Sequence, residues 1–131
     1  KPRQICVVLP PQAEQNEHND NINTNQKSDK ISNNTKSLLR SYLVGDPSLT
    51  VLHQLEPRLV DGQYSLNFHG RARVPSVKNC QIVHANTSIS DPNPEILLQV
   101  GKIHNDLYNI DFAAPFTPLT AFAFAVCQFL P

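Results

Sequence analysis

The sequence carries no excess of either charge, since eleven Lys and Arg residues balance eleven Asp and Glu residues in a chain of 131. The chain as a whole therefore lacks the electrostatic footprint of a protein that binds nucleic acid or anionic lipid, and any basic site has to be local. A chain of this length can enclose a single hydrophobic core. We expect one domain, or part of one.

Cysteines are also few, and Cys6, Cys80 and Cys127 are odd in number and widely spaced. Two of them lie inside apolar runs, which favours reduced, buried thiols in a cytosolic or nuclear protein over a disulfide framework. No histidine stands at zinc-site spacing from any of them. The sequence shows neither a nucleophile with a base nor paired carboxylates. It thus predicts no metal site, no cofactor and no enzymatic activity.

Long apolar runs are scarce, and the one that closes the chain, Thr117–Leu130, is the most informative. Thr117 can cap a helix and Pro118 suits the first helical position. Beyond the cap only Thr120 and Gln128 are polar, so this helix has no face for water. At about 1.5 Å per residue it extends roughly 20 Å, short of the ~30 Å hydrocarbon core of a bilayer. The sequence therefore predicts a helix enclosed by protein.

The rest of the chain has the pattern of short strands separated by turns. Runs that are apolar or alternating, bounded by Gly, Pro, Asn and Asp, predict strands at 5–9, 49–55, 59–60, 64–68, 76–84, 96–100, 102–104 and 107–112. A helical spacing predicts a short helix at 37–44, and Asp61-Gly62 predicts a tight hairpin turn. A meander of strands that ends in one buried helix favours an antiparallel barrel filled by that helix.

The segment 12–36 departs from this pattern. It is rich in Asn, Gln, Asp, Ser and Lys, and only Ala13, Ile22 and Ile31 are apolar. Its apolar surface is too small to offset the entropy of ordering. We predict a disordered, Asn-rich insertion within a domain that spans 1–131.

Four blocks of the chain resemble, in the same order, the signature of the tubby C-terminal domain. That signature runs close to NF.GRV..ASVKNFQ, LQFGKV, FTMDY..P and QAFAIALSSFD. Cys80 stands where the family has Phe, and Thr120 where it has Gln. The matching blocks are Asn67–Val83 (NFHGRARVPSVKNCQIV), Glu95–Ile103 (EILLQVGKI), Leu107–Pro115 (LYNIDFAAP) and Ala121–Phe129 (AFAFAVCQF), and Pro2–Pro10 and Leu38–Leu43 are similar to two further family segments.

The resemblance implies a fold that is mostly β with α: an antiparallel barrel of about twelve strands when complete, enclosing a central hydrophobic C-terminal helix. The chain resembles roughly the C-terminal half of that domain. We expect the N-terminal half of the barrel to come from the same polypeptide or from a second chain.

The resemblance also implies a function. Tubby-like domains bind phosphoinositide headgroups, tether proteins to the cytosolic face of the plasma membrane and act as trafficking adaptors for membrane-protein cargo. We expect a non-enzymatic protein of this kind, cytoplasmic and peripheral at the plasma membrane. One alternative is a nuclear DNA-binding or transcription-associated module, against which the neutral charge counts. The other is a degenerate barrel that acts only through protein contacts.

The family's principal Lys and Arg contacts with phosphoinositides lie in the N-terminal half of the domain, so a site in this chain has to come from other residues. The best local group of cations is Arg71, Arg73 and Lys78. If a strand continues past Gly70, Arg71 and Arg73 share one face and could present two guanidinium groups to a phosphate. The alternative is a solvated strand face, with Lys78 packed or capping within the fold.

Overall fold

The computed structural model describes residues 4–11 and 37–130. The predicted insertion 12–36 lies outside these ranges. The described residues of Lys1–Cys6 and Leu52–Pro131 form one compact unit, and those of Val7–Val51 form a second.

Over the described residues the fold is mostly β with two helices, as the sequence predicts. The strands are β1 (Cys6–Leu9), β2 (Thr50–Gln54), β3 (Arg58–Val60), β4 (Gln63–Ser65), β5 (Cys80–His84), β6 (Leu98–His104) and β7 (Leu107–Phe112), and the helices are α1 (37–43) and α2 (Pro118–Cys127).

Helix α1 ends where the sequence predicts. Gly45 adopts a φ of 74°, and its N–H donates to the carbonyl of Tyr42 (3.0 Å). The N–H of Asp46 reaches back to the carbonyl of Ser41 (3.0 Å). These two bonds form a Schellman motif, which satisfies the last carbonyl groups of the helix and needs a residue that tolerates positive φ.

The sheet has the order β1-β2-β5-β6-β7, and β2, β5, β6 and β7 are antiparallel neighbours. This arrangement is consistent with part of a barrel. Strands β3 and β4 form a separate hairpin. Its two-residue loop is the predicted Asp61-Gly62 turn, in which both residues have positive φ (50° and 77°), as a type I′ turn requires.

The two faces of the β5-β6-β7 part of the sheet differ in chemistry. Successive side chains of a strand point to opposite faces, so the register decides which residues share a face. One face carries two apolar cross-strand rows, Cys80-Val100-Ile110 and Ile82-Leu98-Phe112, and the other carries the polar row Gln81-Gln99-Asp111.

Helix α2 lies against the apolar face. Thr117 and Thr120 form a reciprocal capping box at its start, with Pro118 in the first turn. Ala121 and Ala125 are the buried residues of the helix. After its last turn, the ring of Phe129 meets the ring of Tyr108 edge-on, with centroids 5.0 Å apart. The capping box at the start of the helix confirms the predicted cap at Thr117.

The predicted enclosure of α2 is not confirmed by the described residues. Leu119, Phe122 and Val126 are 75%, 62% and 43% exposed. The two buried alanines let the helix approach the sheet, while its larger apolar side chains face away from it. The count of about twelve strands likewise stays a prediction.

The prediction that the thiols are buried is wrong for two cysteines. Only Cys80 is buried, in the apolar face of β5. Cys127 is exposed because it lies on the uncovered part of α2, and Cys6 is exposed on β1. Apolar neighbours in sequence therefore did not indicate burial here.

The predicted break at Gly101 is also wrong, since β6 runs through it without interruption. A Cβ atom at this position would lie 2.8 Å from the carbonyl oxygen of Arg71 and 3.0 Å from Cβ of Ala72. Glycine is present here because another stretch of backbone crosses the strand, and not because the chain turns.

We expect Thr117→Ala to lower the free energy of unfolding by about 1 kcal/mol, because the capping hydroxyl accepts a backbone N–H that the helix leaves without a partner. Thr87→Ala, a threonine in a loop, is the matched control and should change little. Denaturant unfolding followed by circular dichroism measures both. Equal effects of the two substitutions would contradict the capping role.

We expect Gly101→Ala to destabilise the protein by roughly 1–3 kcal/mol, because the new methyl group collides with the Arg71 backbone. The adjacent Lys102→Ala leaves that approach open and should cost less. Denaturant unfolding of both variants tests this comparison. A Gly101→Ala variant as stable as the parent would show that the crossing segment can move away freely.

Candidate functional site

The three predicted cations lie in the connection 66–79 between β4 and β5, and not on a strand. His69 and Gly70 have φ values of 48° and 79°, and the N–H of Arg71 donates to the carbonyl of Phe68 (2.8 Å). This is a second type I′ turn, which reverses the chain. The condition of a strand that continues past Gly70 is therefore not met, and alternation along a strand does not bring Arg71 and Arg73 together.

Arg71 forms a bidentate pair with Asp111 on β7. Its Nε donates to Oδ2 (2.9 Å) and its Nη2 to Oδ1 (2.7 Å). The hydrogen bonds from Arg71 lower the pKa of Asp111, assisted by a bond from Gln99 and opposed by burial. The same pair raises the pKa of Arg71. Because the side chains are 48% and 38% exposed, solvent screens part of this attraction.

An amide ladder extends the pair across the polar face of the sheet. Gln99 Nε2 donates to Asp111 Oδ2 (2.9 Å), and Gln81 Nε2 donates to Gln99 Oε1 (3.0 Å). Gln81 Nε2 also donates to the carbonyl of Asn67 (2.9 Å), so this amide is satisfied although the residue is only 2% exposed. The ladder runs over β5, β6 and β7 and holds the turn of the connection at both ends, at Asn67 and at Arg71.

A second group of bonds fixes the backbone of the connection. Asn109 Nδ2 donates to the carbonyl of Arg71 (3.0 Å). The carbonyl of Lys102 accepts the N–H of Arg73 (2.8 Å), and the N–H of Lys102 donates to Asn79 Oδ1 (2.8 Å). These bonds hold the connection close to β6 at Gly101, where the lack of a side chain permits the approach.

Lys78 is engaged at the end of α2. Its Nζ donates to the carbonyl of Gln128 and lies 5.6 Å from the centroid of the Phe129 ring. A cation at this place satisfies a carbonyl group that the helix leaves free and complements the negative end of the helix dipole. The aromatic ring adds a cation–π contact.

Arg73 differs from the other two cations. Its residue is exposed, and within the described residues its guanidinium makes no hydrogen bond or ion pair. It lines an open groove of about 1160 Å³ and is the only charged residue among the described residues that line it. Of the three predicted site residues, Arg73 alone presents an uncommitted positive charge in this part of the structure.

Sequence reasoning missed the partner of Arg71. The Asp111 carboxylate binds the Arg71 side chain. The two residues are 40 positions apart, so only the fold brings them together. The blocks that resemble the tubby signature contain Gln81, Gln99 and Asp111. This resemblance was the signal in the sequence that could have indicated these residues.

Residues 4–11 and 37–130 offer neither a metal centre nor a membrane-spanning helix. There, no three His, Cys, Asp or Glu side chains come together as the ligands of a metal ion would. Neither helix of that part of the chain is long and apolar enough to cross a bilayer.

We expect the Arg71–Asp111 pair to make stability depend on pH. Folding lowers the pKa of Asp111, so its contribution is complete above the unfolded value of about 3.9 and is lost as the pH falls through the folded value. Asp111→Asn should therefore reduce the loss of stability between pH about 6 and about 3. Urea unfolding at both pH values measures this, and Asp61→Asn is the control. An unchanged pH dependence in Asp111→Asn would contradict the role of the pair.

Comparison with known proteins agrees with the resemblance read from the sequence. The model of the Tub family matches residues 1–130. Human Tubby-related protein 2 is 38% identical over 133 residues, which cover 98% of this chain and 23% of that protein. Human Tubby-related protein 1 is 37% identical over 98% of this chain and 22% of its own length.

A plant relative is matched over a shorter segment. Tubby-like F-box protein 11 of Oryza sativa subsp. japonica is 35% identical over 79% of this chain and 25% of its own length. The chain thus spans about a quarter of the length of these curated relatives. The family model matches nearly every residue. This chain belongs to the tubby family.

Proposed function

We propose that this chain is part of a non-enzymatic module that binds phosphoinositides and tethers its protein, as a trafficking adaptor, to the cytosolic face of the plasma membrane. The observation that carries this proposal is the family match over residues 1–130, together with the activity that the resemblance implies. The chain spans only about a quarter of its relatives, so the adaptor role and the membrane-protein cargo are proposed for the whole protein.

Within this chain, Arg73 is the proposed lipid contact. An anionic headgroup is best bound by side chains whose charge is not already neutralised. A phosphate could bind Arg71 only by displacing the Asp111 carboxylate, and Lys78 only by withdrawing it from the end of α2. We therefore propose that Arg71 and Lys78 hold the connection in place and that Arg73 adds its charge to a site formed mainly by other parts of the protein.

The second candidate is a barrel that keeps the fold and acts only through protein contacts. It is favoured by the internal engagement of two of the three predicted cations. A nuclear nucleic-acid module is the weaker alternative, because the chain has no net charge.

Liposome co-sedimentation of the intact protein, with and without phosphatidylinositol bisphosphate, tests the proposal. We expect binding that depends on this lipid and that weakens with salt. Arg73→Gln should lower the affinity roughly fivefold, which is typical for one basic residue near an anionic surface. Arg40→Gln, the same change on α1, should leave it unaltered.

The outcomes separate the candidates. No binding by a folded protein would reject the lipid function and leave the protein-contact candidate. Binding that Arg73→Gln does not weaken would keep the lipid function but reject Arg73 as a contact.

A further inference from the structure

The turn Ser88–Asp91, in the connection between β5 and β6, has no part in the network described above. The N–H of Asp91 donates to the carbonyl of Ser88 (3.1 Å), which closes the turn. Ser88 and Ser90 are exposed, and Ile89 between them is 75% exposed. Their hydroxyl groups are therefore accessible to another protein.

Two polar groups of Ser90 lie close to the Ser88 hydroxyl oxygen. The N–H of Ser90 donates to Ser88 Oγ (3.3 Å), and Ser90 Oγ lies 2.8 Å from the same atom. A guanidinium is also close, because Arg58 Nη2 donates to the carbonyl of Asp91 (2.8 Å). Its other N–H groups have no partner among the described residues.

We propose that Ser88 is a phosphorylation site for a Ser/Thr kinase that prefers acidic substrates, and that Arg58 binds the phosphoryl group. An acidic side chain, Asp91, follows Ser88 by three residues, and Glu95 lies further along. A kinase with a basic peptide-binding surface would be attracted to this segment.

The chemical step transfers the γ-phosphoryl group of magnesium-bound ATP. Ser88 Oγ forms a bond to the γ-phosphorus, and the bond from that phosphorus to the β,γ-bridging oxygen breaks. ADP leaves with the electron pair, and the hydroxyl proton passes to the catalytic carboxylate of the kinase.

The geometry explains why a phosphoryl group would be bound more strongly on Ser88 than on Ser90. A phosphate on Ser88 would accept from the N–H and the hydroxyl of Ser90, which already lie within hydrogen-bond distance of that oxygen. The ends of a closed turn are within roughly 7 Å of each other. The long side chain of Arg58, held at Asp91, can therefore reach the new oxygens.

Two carboxylates, those of Asp91 and Glu95, repel a phosphate at this position. Asp91 is the nearer, but its Oδ1 is already occupied by the N–H of Asn93 (2.9 Å). Glu95 is exposed, so solvent screens its charge. Charge-assisted bonds to a phosphate are among the stronger hydrogen bonds in proteins. We expect the phosphoserine to link the β3-β4 hairpin to the β5-β6 connection.

The first test treats the intact, folded protein with magnesium-bound ATP and a purified acid-directed Ser/Thr kinase. Mass spectrometry should find a phosphoryl group on Ser88. Ser88→Ala should abolish it, the matched Ser90→Ala should retain it, and Asp91→Asn should slow incorporation roughly tenfold. Absence of phosphate, or its presence on Ser90 instead, would overturn the proposed site.

The second test addresses Arg58 by phosphorus NMR titration of the phosphorylated protein. A free phosphoserine loses its second proton at a pKa of about 6, and an adjacent guanidinium lowers that value by roughly half a unit or more. Arg58→Gln should raise the pKa of the phosphoserine, whereas Arg73→Gln should not. If Arg58→Gln leaves the titration unchanged, Arg58 does not bind the phosphate.

Discussion

The connection 66–79 is held in place by one charged pair, Arg71–Asp111, and by the amides that lead to it. The segment has no regular secondary structure, so its backbone groups need partners outside a strand ladder, and these include the Lys102 carbonyl of β6 and the side-chain amides of Gln81 and Asn109. A glutamine amide can donate and accept at once, which lets Gln81 and Gln99 pass the contact from Asn67 to Asp111. Replacing Gln99 by an apolar residue would remove one acceptor from the buried amide of Gln81, at a cost of about 1–3 kcal/mol.

The contacts that hold the connection give three different roles to three cations that look alike in the sequence. Arg71 belongs to the pair, Lys78 completes the end of α2, and Arg73 keeps its side chain free while its backbone is fixed. A group of basic residues in a sequence is therefore not yet a basic site. Whether a cation is available to a ligand depends on the carboxylates and carbonyls that the fold brings to it.

Local signals in the sequence predicted the local structure well. The Thr117 cap, the Gly45 helix end, the Asp61-Gly62 turn and strand β7 all depend on residues within a few positions of one another. Contacts between distant residues could not be found in this way. Gly101 illustrates the difficulty, because a turn and a close approach of backbone both require glycine, and only the position of Arg71 distinguishes them. His69-Gly70 lacks the usual Asn or Asp of a type I′ turn, so the sequence left open whether a strand continues past Gly70.

Helix α2 is arranged in the opposite way to most surface helices. Its small residues, Ala121 and Ala125, face the sheet, whereas Leu119 and Phe122 face away from it and are largely exposed. Burying such a side chain contributes about 1.5–3 kcal/mol to stability. Because these side chains remain in water, the helix adds much less to stability than it could. A helix that stays at the surface would carry polar residues on its exposed side. The composition of α2 therefore suits a helix with apolar walls on more than one side, as in the barrel that the sequence predicts.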